Sequence, residues 1–217
     1  MPRLTELSTH HLIEHVGSGG WPPARQRGPA AHHAMAGAVI ALSAAQACAL
    51  GEACVHITCV HISAEQLQDR DRSMRAARAS GELAASKGRL LTLADQDAAA
   101  ITAFVALRAA GPRAAAGAGE MLAGQEMLCE APVQIGRLAV EAARILQEFR
   151  TGVVEQVRDD LEMAIVLLTG AARAAALLLD SNLRIWPEEA LQTRYEPLRV
   201  DLETAIARLT PVARIRT

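Results

Sequence analysis

Residues 160–182 read DLEMAIVLLTGAARAAALLLDSN. Leu, Ile, Val and Ala recur around the whole circumference of a 3.6-residue period, an acid opens the run and an Asn closes it. The pattern predicts a helix from about 156 to 181, the longest of the chain and buried on nearly every side. Its longest apolar run, Ala171 to Leu179, is broken by Arg173 and is too short to span a bilayer as an unbroken segment.

The rest of the chain repeats this chemistry. Of 217 residues, 51% are hydrophobic but only 2% aromatic, so a core has to be assembled from Leu, Val, Ile and above all Ala. Small side chains let helices approach closely, whereas sheets lean on aromatic and β-branched residues. The fold class expected is all-α, a multi-helix bundle forming a single domain over residues 1–217. The formal charge of −2 excludes a domain-wide basic surface for nucleic acid. Four cysteines without an N-terminal signal pattern point to free thiols and a cytoplasmic location.

Outward from the long helix, Pro132 suits a helix start, with 132–150 following and Thr151–Gly152 as a break. Residues 113–129 read as a weaker, Gly-dotted helix. Residues 91–110 form a helix with Asp97, Ile101, Phe104, Val105 and Arg108 on one face. A polar helix over 64–90, broken near Ser80–Gly81, precedes it. Residues 30–50 are Ala-rich and end at Gly51, a C-cap position. Residues 52–63, with CVHI at 54–57 and again at 59–62, read as a connector or irregular helix start. Gly and Pro crowd 17–29, a loop; 4–16 is a short opening helix and 197–209 a closing one.

Candidate chemistry lies in a few places. Cys54, His56, Cys59 and His61 have metal-binding side chains, but zinc modules separate their ligand pairs by a dozen or more residues, so no metal site is assigned. His11 and His15 stand four apart without an HExxH pattern. His32 and His33 follow the loop, where an imidazole can move protons near neutral pH. Asp97 and Asp160 each head an apolar run. A helix-start acid has an ordinary role at the dipole, and a carboxylate can also pair with an amidine-like ring. Asn182 follows Asp160 by 22 residues, about 33 Å of helix, so the two cannot share one small ligand within a subunit.

Four blocks, in this order, resemble a known family: PARQRGPAAHHAMAGAVIALSAAQACALG at 23–51, LADQDAAAITAF at 93–104, EAPVQIGRLAVEAARIL at 130–146 and VRDDLEMAIVLLTGAARAAALLLDSN at 157–182. The resemblance is to the methenyltetrahydrofolate cyclohydrolases and the cyclodeaminase domain of formiminotransferase-cyclodeaminase. It implies a cyclodeaminase-type bundle with a long buried central helix, association into homodimers or higher oligomers, and a hydrolase or lyase acting at a cationic or imine-type carbon. Water adds to that carbon, or an amine attacks it and ammonia leaves. No cofactor is required; a tetrahydrofolate derivative is the implied substrate, with no nucleic-acid or membrane partner.

On this resemblance the catalytic candidates are Asp97, Asp160, His32 and His33, and the ligand-binding candidates Arg25, Arg27, Gly28 and Asn182. Asp97 and Asp160 are expected to face a common cleft, within a subunit or across a dimer. The family's Pro-Thr-Pro and glycine-rich loop survives only as Pro23 and Gly28, and Glu52–Ala53–Cys54 stands where the family carries lysines. Two further readings accompany the folate enzyme: the same scaffold turned to a non-folate amine or imine, and a non-catalytic helical oligomer or binding module.

Overall fold

The structure, a computed structural model, describes residues 3–17, 35–65, 70–110 and 118–216. After a 3₁₀ turn at Leu4–Glu6, its helices are α1 (Thr9–Gly17), α2 (Ala36–Glu65), α3 (Arg70–Ala110), α4 (Ala118–Phe149), α5 (Arg158–Ile185) and α6 (Glu189–Ala207). Helix, without any strand, accounts for nearly all of the described residues, as the aromatic-poor composition predicts.

Four helices close into a ring, α2 on α3, α3 on α4, α4 on α5 and α5 on α2. Cross-helix contacts give their directions. Ala38 meets Asp97 and Glu52 meets Lys87, so α2 and α3 run antiparallel. Asn182 reaches Leu128 and Arg150 grips Glu162, so α4 and α5 do too. Cross-strap contacts between Arg72 and Gly152, and between Thr58 and Val154, complete an up-and-down bundle. Helix α6 lies along α4 and α5, and Thr5 pins the opening turn to Asp95 at 2.7 Å.

The core is small-sided. Ala38, Ala41, Ala44, Ala47 and Cys48 of α2 are fully buried, with Ala139, Ala142 and Ala143 of α4 and Ala164, Ala172 and Ala175 of α5. Larger side chains collect at one end, where Cys129, Val133, Leu179, Leu183, Leu191 and Tyr195 pack together and Phe104 meets Trp186 edge to face at 5.2 Å. Just past the end of α4, Arg150 holds the nearly buried Glu162 of α5 through two bonds of 2.7 Å, the geometry that best offsets the desolvation of a charge pair.

Several boundaries differ from those the sequence suggests. Residues 52–63 are neither connector nor strand but the second half of α2. Gly51 is no C-cap: it lies mid-helix, where a Cβ would come within 2.7 Å of Leu146 Cδ1, so its role is close approach of α2 to α4. Helix α3 passes unbroken through Ser80–Gly81 and, at 41 residues, exceeds the 28 of α5. Pro132 sits inside α4 rather than at its start, and α6 begins earlier than 197, with Pro197 in its interior. At Gly51 and Pro132 partners on neighbouring helices, Leu146 and Asn182, override the local signal.

Helix α5 packs against α2, α4 and α6 but keeps one face open, contrary to burial on nearly every side. By length and mean hydropathy alone, three helices of the described residues, Ala36–His61, Asp71–Arg108 and Glu155–Ile185, are apolar enough to cross a membrane. A short unbroken apolar run misses this because Ala, mildly apolar, raises the mean over long windows. Half or more of the first and third windows is buried within the bundle.

Candidate active site

Asp97 is the buried acid of the molecule's candidate site, 6% exposed. It does not open its own helix, since α3 begins 27 residues earlier at Arg70. Instead it caps a different one. Its Oδ2 accepts the backbone N–H of Ala38 at 2.9 Å, one of the first-turn donors of α2 that have no partner within that helix. Gly37 makes room: a Cβ there would fall 2.3 Å from Asp97 Oδ1. Burial pushes the Asp97 carboxyl above the ordinary carboxylate range, and the Ala38 N–H opposes that shift only in part.

Asp97 also opens onto a cleft of about 490 Å³ between α3 and α4. Small residues of α3, Ala99, Ala100 and Ala103, form the recess; Met127 and Ala131 of α4 face them. Four polar side chains interrupt this apolar lining, Gln96 and Asp97 from α3 and Glu130 and Gln134 from α4. Gln134 Nε2 donates to Glu130 Oε1 at 3.1 Å. The second acid beside Asp97 is therefore Glu130. Sequence reasoning missed it because taking Pro132 as a helix start left Glu130 in a preceding loop; with α4 continuous, Glu130 and Gln134 stand four apart on one face.

Asp160 is elsewhere. It lies exposed in the first turn of α5, where the helix dipole favours it, and its charge contributes, after burial, to pushing the Cys54 thiol up to about 11. Cys54 is 16 residues beyond Ala38 on α2, about 24 Å along the axis. Within one chain the two acids are not brought to a common cleft.

Asn182 has a structural partner. Its Nδ2 donates to the Leu128 carbonyl at 2.8 Å, the acceptor that residue 132 would satisfy if it were not proline. It thereby steadies the Met127–Gln134 wall of the cleft. His32, His33, Arg25, Arg27 and Gly28 lie outside the described residues.

Cys54, His56, Cys59 and His61 share one helix and point around it, Cys54 buried and His56 exposed. Among the described residues no three His, Cys, Asp or Glu side chains are grouped to hold a metal ion. A somewhat larger groove, about 520 Å³, is lined by Arg72, Arg75 and Arg78 near Phe149; it sits at the opposite end of α3 and holds no buried acid.

The architecture has known counterparts. The structure resembles that of formiminotetrahydrofolate cyclodeaminase from Thermotoga maritima, with a TM-score of 0.74 at 18% identity, over 94% of this chain and 92% of that one. No curated protein matches the chain by sequence. The family model for formiminotransferase-cyclodeaminase matches residues 29–197, a span that holds Asp97, Glu130, Pro132 and Asn182. With a whole-chain likeness of fold and a family match across most of its length, the chain belongs to the formiminotransferase-cyclodeaminase family.

Proposed function

We propose that this chain catalyses cyclodeaminase- or cyclohydrolase-type chemistry at an imine or amidinium carbon, on a one-carbon unit carried by tetrahydrofolate. The observation that carries the reading is Asp97: a buried carboxyl group, raised above its ordinary range, opening onto an apolar cleft of a size usual for small-molecule sites. In the deaminating direction the substrate's second, anilino nitrogen attacks the formimino carbon, forms a C–N bond and gives up its N–H proton to the imino nitrogen. That nitrogen, now an amine, takes a second proton and leaves as ammonia with the electron pair of its own C–N bond, and a methenyl cation remains. Asp97 is suited to hand over that proton, because burial favours its protonated form. Glu130, on the facing helix, is placed to balance the positive charge of the product. In the hydrolytic direction water adds to the same carbon while ionised Asp97 takes up its proton, and the ring opens as one C–N bond of the bridge breaks, its nitrogen keeping the electron pair and recovering a proton.

A second reading, the same scaffold on a non-folate amine or imine, rests on one observation. Among the described residues the cleft is lined by no Lys or Arg that would meet folate's carboxylate tail. The test is incubation with formiminotetrahydrofolate while following ammonia release and the methenyl chromophore, beside calorimetric titration of methenyl- and formyltetrahydrofolate. Turnover abolished by Asp97→Asn supports the proposal. Folate binding without turnover favours a binding module, and absence of both favours the non-folate enzyme.

A further inference from the structure

The N-terminal quarter of α3 carries a basic face that the candidate active site does not use. Arg72, Arg75 and Arg78 follow one another at intervals of three and line one side of the open groove of about 520 Å³, so their side chains are neighbours on the helix surface. Across the groove the last turns of α4 supply Ile145 and Phe149, an apolar wall. Asp97 stands 19 residues beyond Arg78 on α3, about 28 Å along the axis. The groove and the Asp97 cleft are therefore separate sites for small molecules.

A basic helix face is ordinarily no more than a solvated one, and the three arginines differ in what holds them. Arg72 donates from Nη2 to the Gly152 carbonyl at 2.6 Å, a part-buried bond that fixes its guanidinium at the edge of the groove. Arg78 pairs with Glu82 at 2.8 Å in an exposed bond that water screens. Arg75 forms no ion pair or hydrogen bond among the described residues. Glu82 and Glu148 line the groove against the three guanidiniums, with the charge of Glu148 acting on Arg78. Asp71 lies in an adjoining surface recess beside Arg75 and Arg78, and none of the three acids comes within ion-pair distance of Arg75. Like charges three apart on a helix repel one another, and at Arg72, in the first turn of α3, the dipole disfavours a cation. The fold thus carries a cost here that an anion from outside would relieve. A carboxylate fills one guanidinium fork, whereas a phosphate monoester brings three acceptor oxygens and close to two negative charges to several forks at once. The apolar wall suits the organic group that such an ester carries.

We propose that the groove of Arg72, Arg75 and Arg78 binds a soluble phosphate monoester, its phosphate on the arginines and its organic group against Ile145 and Phe149. The probe is phenyl phosphate, titrated into the full chain by calorimetry and thermal melting at constant ionic strength, since a ligand held only by the folded state raises the melting temperature. Saturable binding is expected with a dissociation constant of about 1 mM or tighter, and inorganic phosphate should bind at least about tenfold more weakly for want of the ring. Arg75→Gln, at an exposed position, should keep its helix content by circular dichroism and lose at least about tenfold in affinity. Arg173→Gln, at an exposed position on α5, and Asp97→Asn should bind as wild type does. Absence of binding overturns the proposal, as does undiminished binding by Arg75→Gln. An equal loss in Arg173→Gln overturns it in favour of diffuse charge, and a loss in Asp97→Asn in favour of the other cleft. Benzoate binding as tightly as phenyl phosphate overturns the choice of phosphate, and inorganic phosphate doing so overturns the part given to Ile145 and Phe149. Cosedimentation with phosphatidic acid vesicles, abolished by Arg75→Gln in a chain that ignores phenyl phosphate, overturns it in favour of a lipid headgroup.

Discussion

Asn182 supplies to Leu128 the hydrogen bond that Pro132 withholds. The donor comes from α5, some 50 positions along the chain from the helix it completes. A proline inside a helix normally costs about 3 kcal/mol or kinks the helix, and here a neighbouring amide takes the freed carbonyl. The pairing makes the two residues energetically dependent on each other. Asn182→Leu should cost about 1–3 kcal/mol, the range for a buried polar group left unpaired. In a Pro132→Ala background, where residue 132 regains its N–H, most of that cost should vanish. Urea denaturation of the two single variants and the double variant checks this; strictly additive effects would refute the pairing.

Gly37→Ala should displace Asp97, since the new Cβ would lie 2.3 Å and 2.6 Å from the two carboxylate oxygens. Both the α2 cap and the cleft then lose their acid. The expected outcome is a loss of about 0.5–2 kcal/mol, the worth of a helix cap, together with a drop in turnover of the formimino or methenyl substrate. Thermal melts beside the ammonia-release assay read the two effects separately.

Asp97 should also leave a signature in the pH dependence of stability. Its folded pKa is raised, chiefly by burial. The contribution of the neutral carboxyl is therefore fully present below the unfolded pKa, about 3.9, and is lost as pH rises through the folded value. Asp97→Asn cannot ionise and still offers an amide oxygen to Ala38. Its melting temperature relative to wild type should rise as pH is raised from the carboxylate range toward neutrality. A difference that is flat with pH, or that falls, contradicts the burial argument.

One substitution at two glycines should have opposite signs. Gly81→Ala, exposed on α3 with no atom within 4 Å of the new Cβ, should stabilise by about 0.5–1 kcal/mol from helix propensity. Gly51→Ala gains the same propensity but drives a methyl group to 2.7 Å from Leu146 Cδ1, and overpacking of about 1–3 kcal/mol should outweigh it. Paired chemical denaturation curves decide the ordering.

Those two glycines also show what can be read from a single chain. Helix content and the position of α5 follow from periodicity and composition, which are properties of each segment alone; Asp97 stands out in the sequence only as the head of an apolar run, whereas it lies 27 residues into α3. Helix ends did not follow, because Gly51, Gly81 and Pro132 look alike as local breakers, and only their neighbours tell them apart. Gly51 answers to Leu146 on α4 and Pro132 to Asn182 on α5. The acid pair was half visible for the same reason. Asp160 shares the composition of its surroundings with Asp97, yet the bundle leaves it exposed in the first turn of α5 and puts Glu130 into the cleft instead.

The alanine-built ring of α2, α3, α4 and α5 bears on how such a protein changes over time. When helices meet through methyl groups and bare Cα atoms, the spacing between axes depends on side-chain volume far more than on side-chain identity. Ala, Gly, Ser and Cys can then replace one another at the seams with little movement of the backbone, while any larger residue forces the axes apart. Drift in such a lineage runs freely along the choice of small residue and is blocked along size. That is one physical route by which 18% identity coexists with a shared fold over 94% of the chain, and it singles out glycines such as Gly37 and Gly51, where a neighbouring side chain already fills the space a methyl group would need.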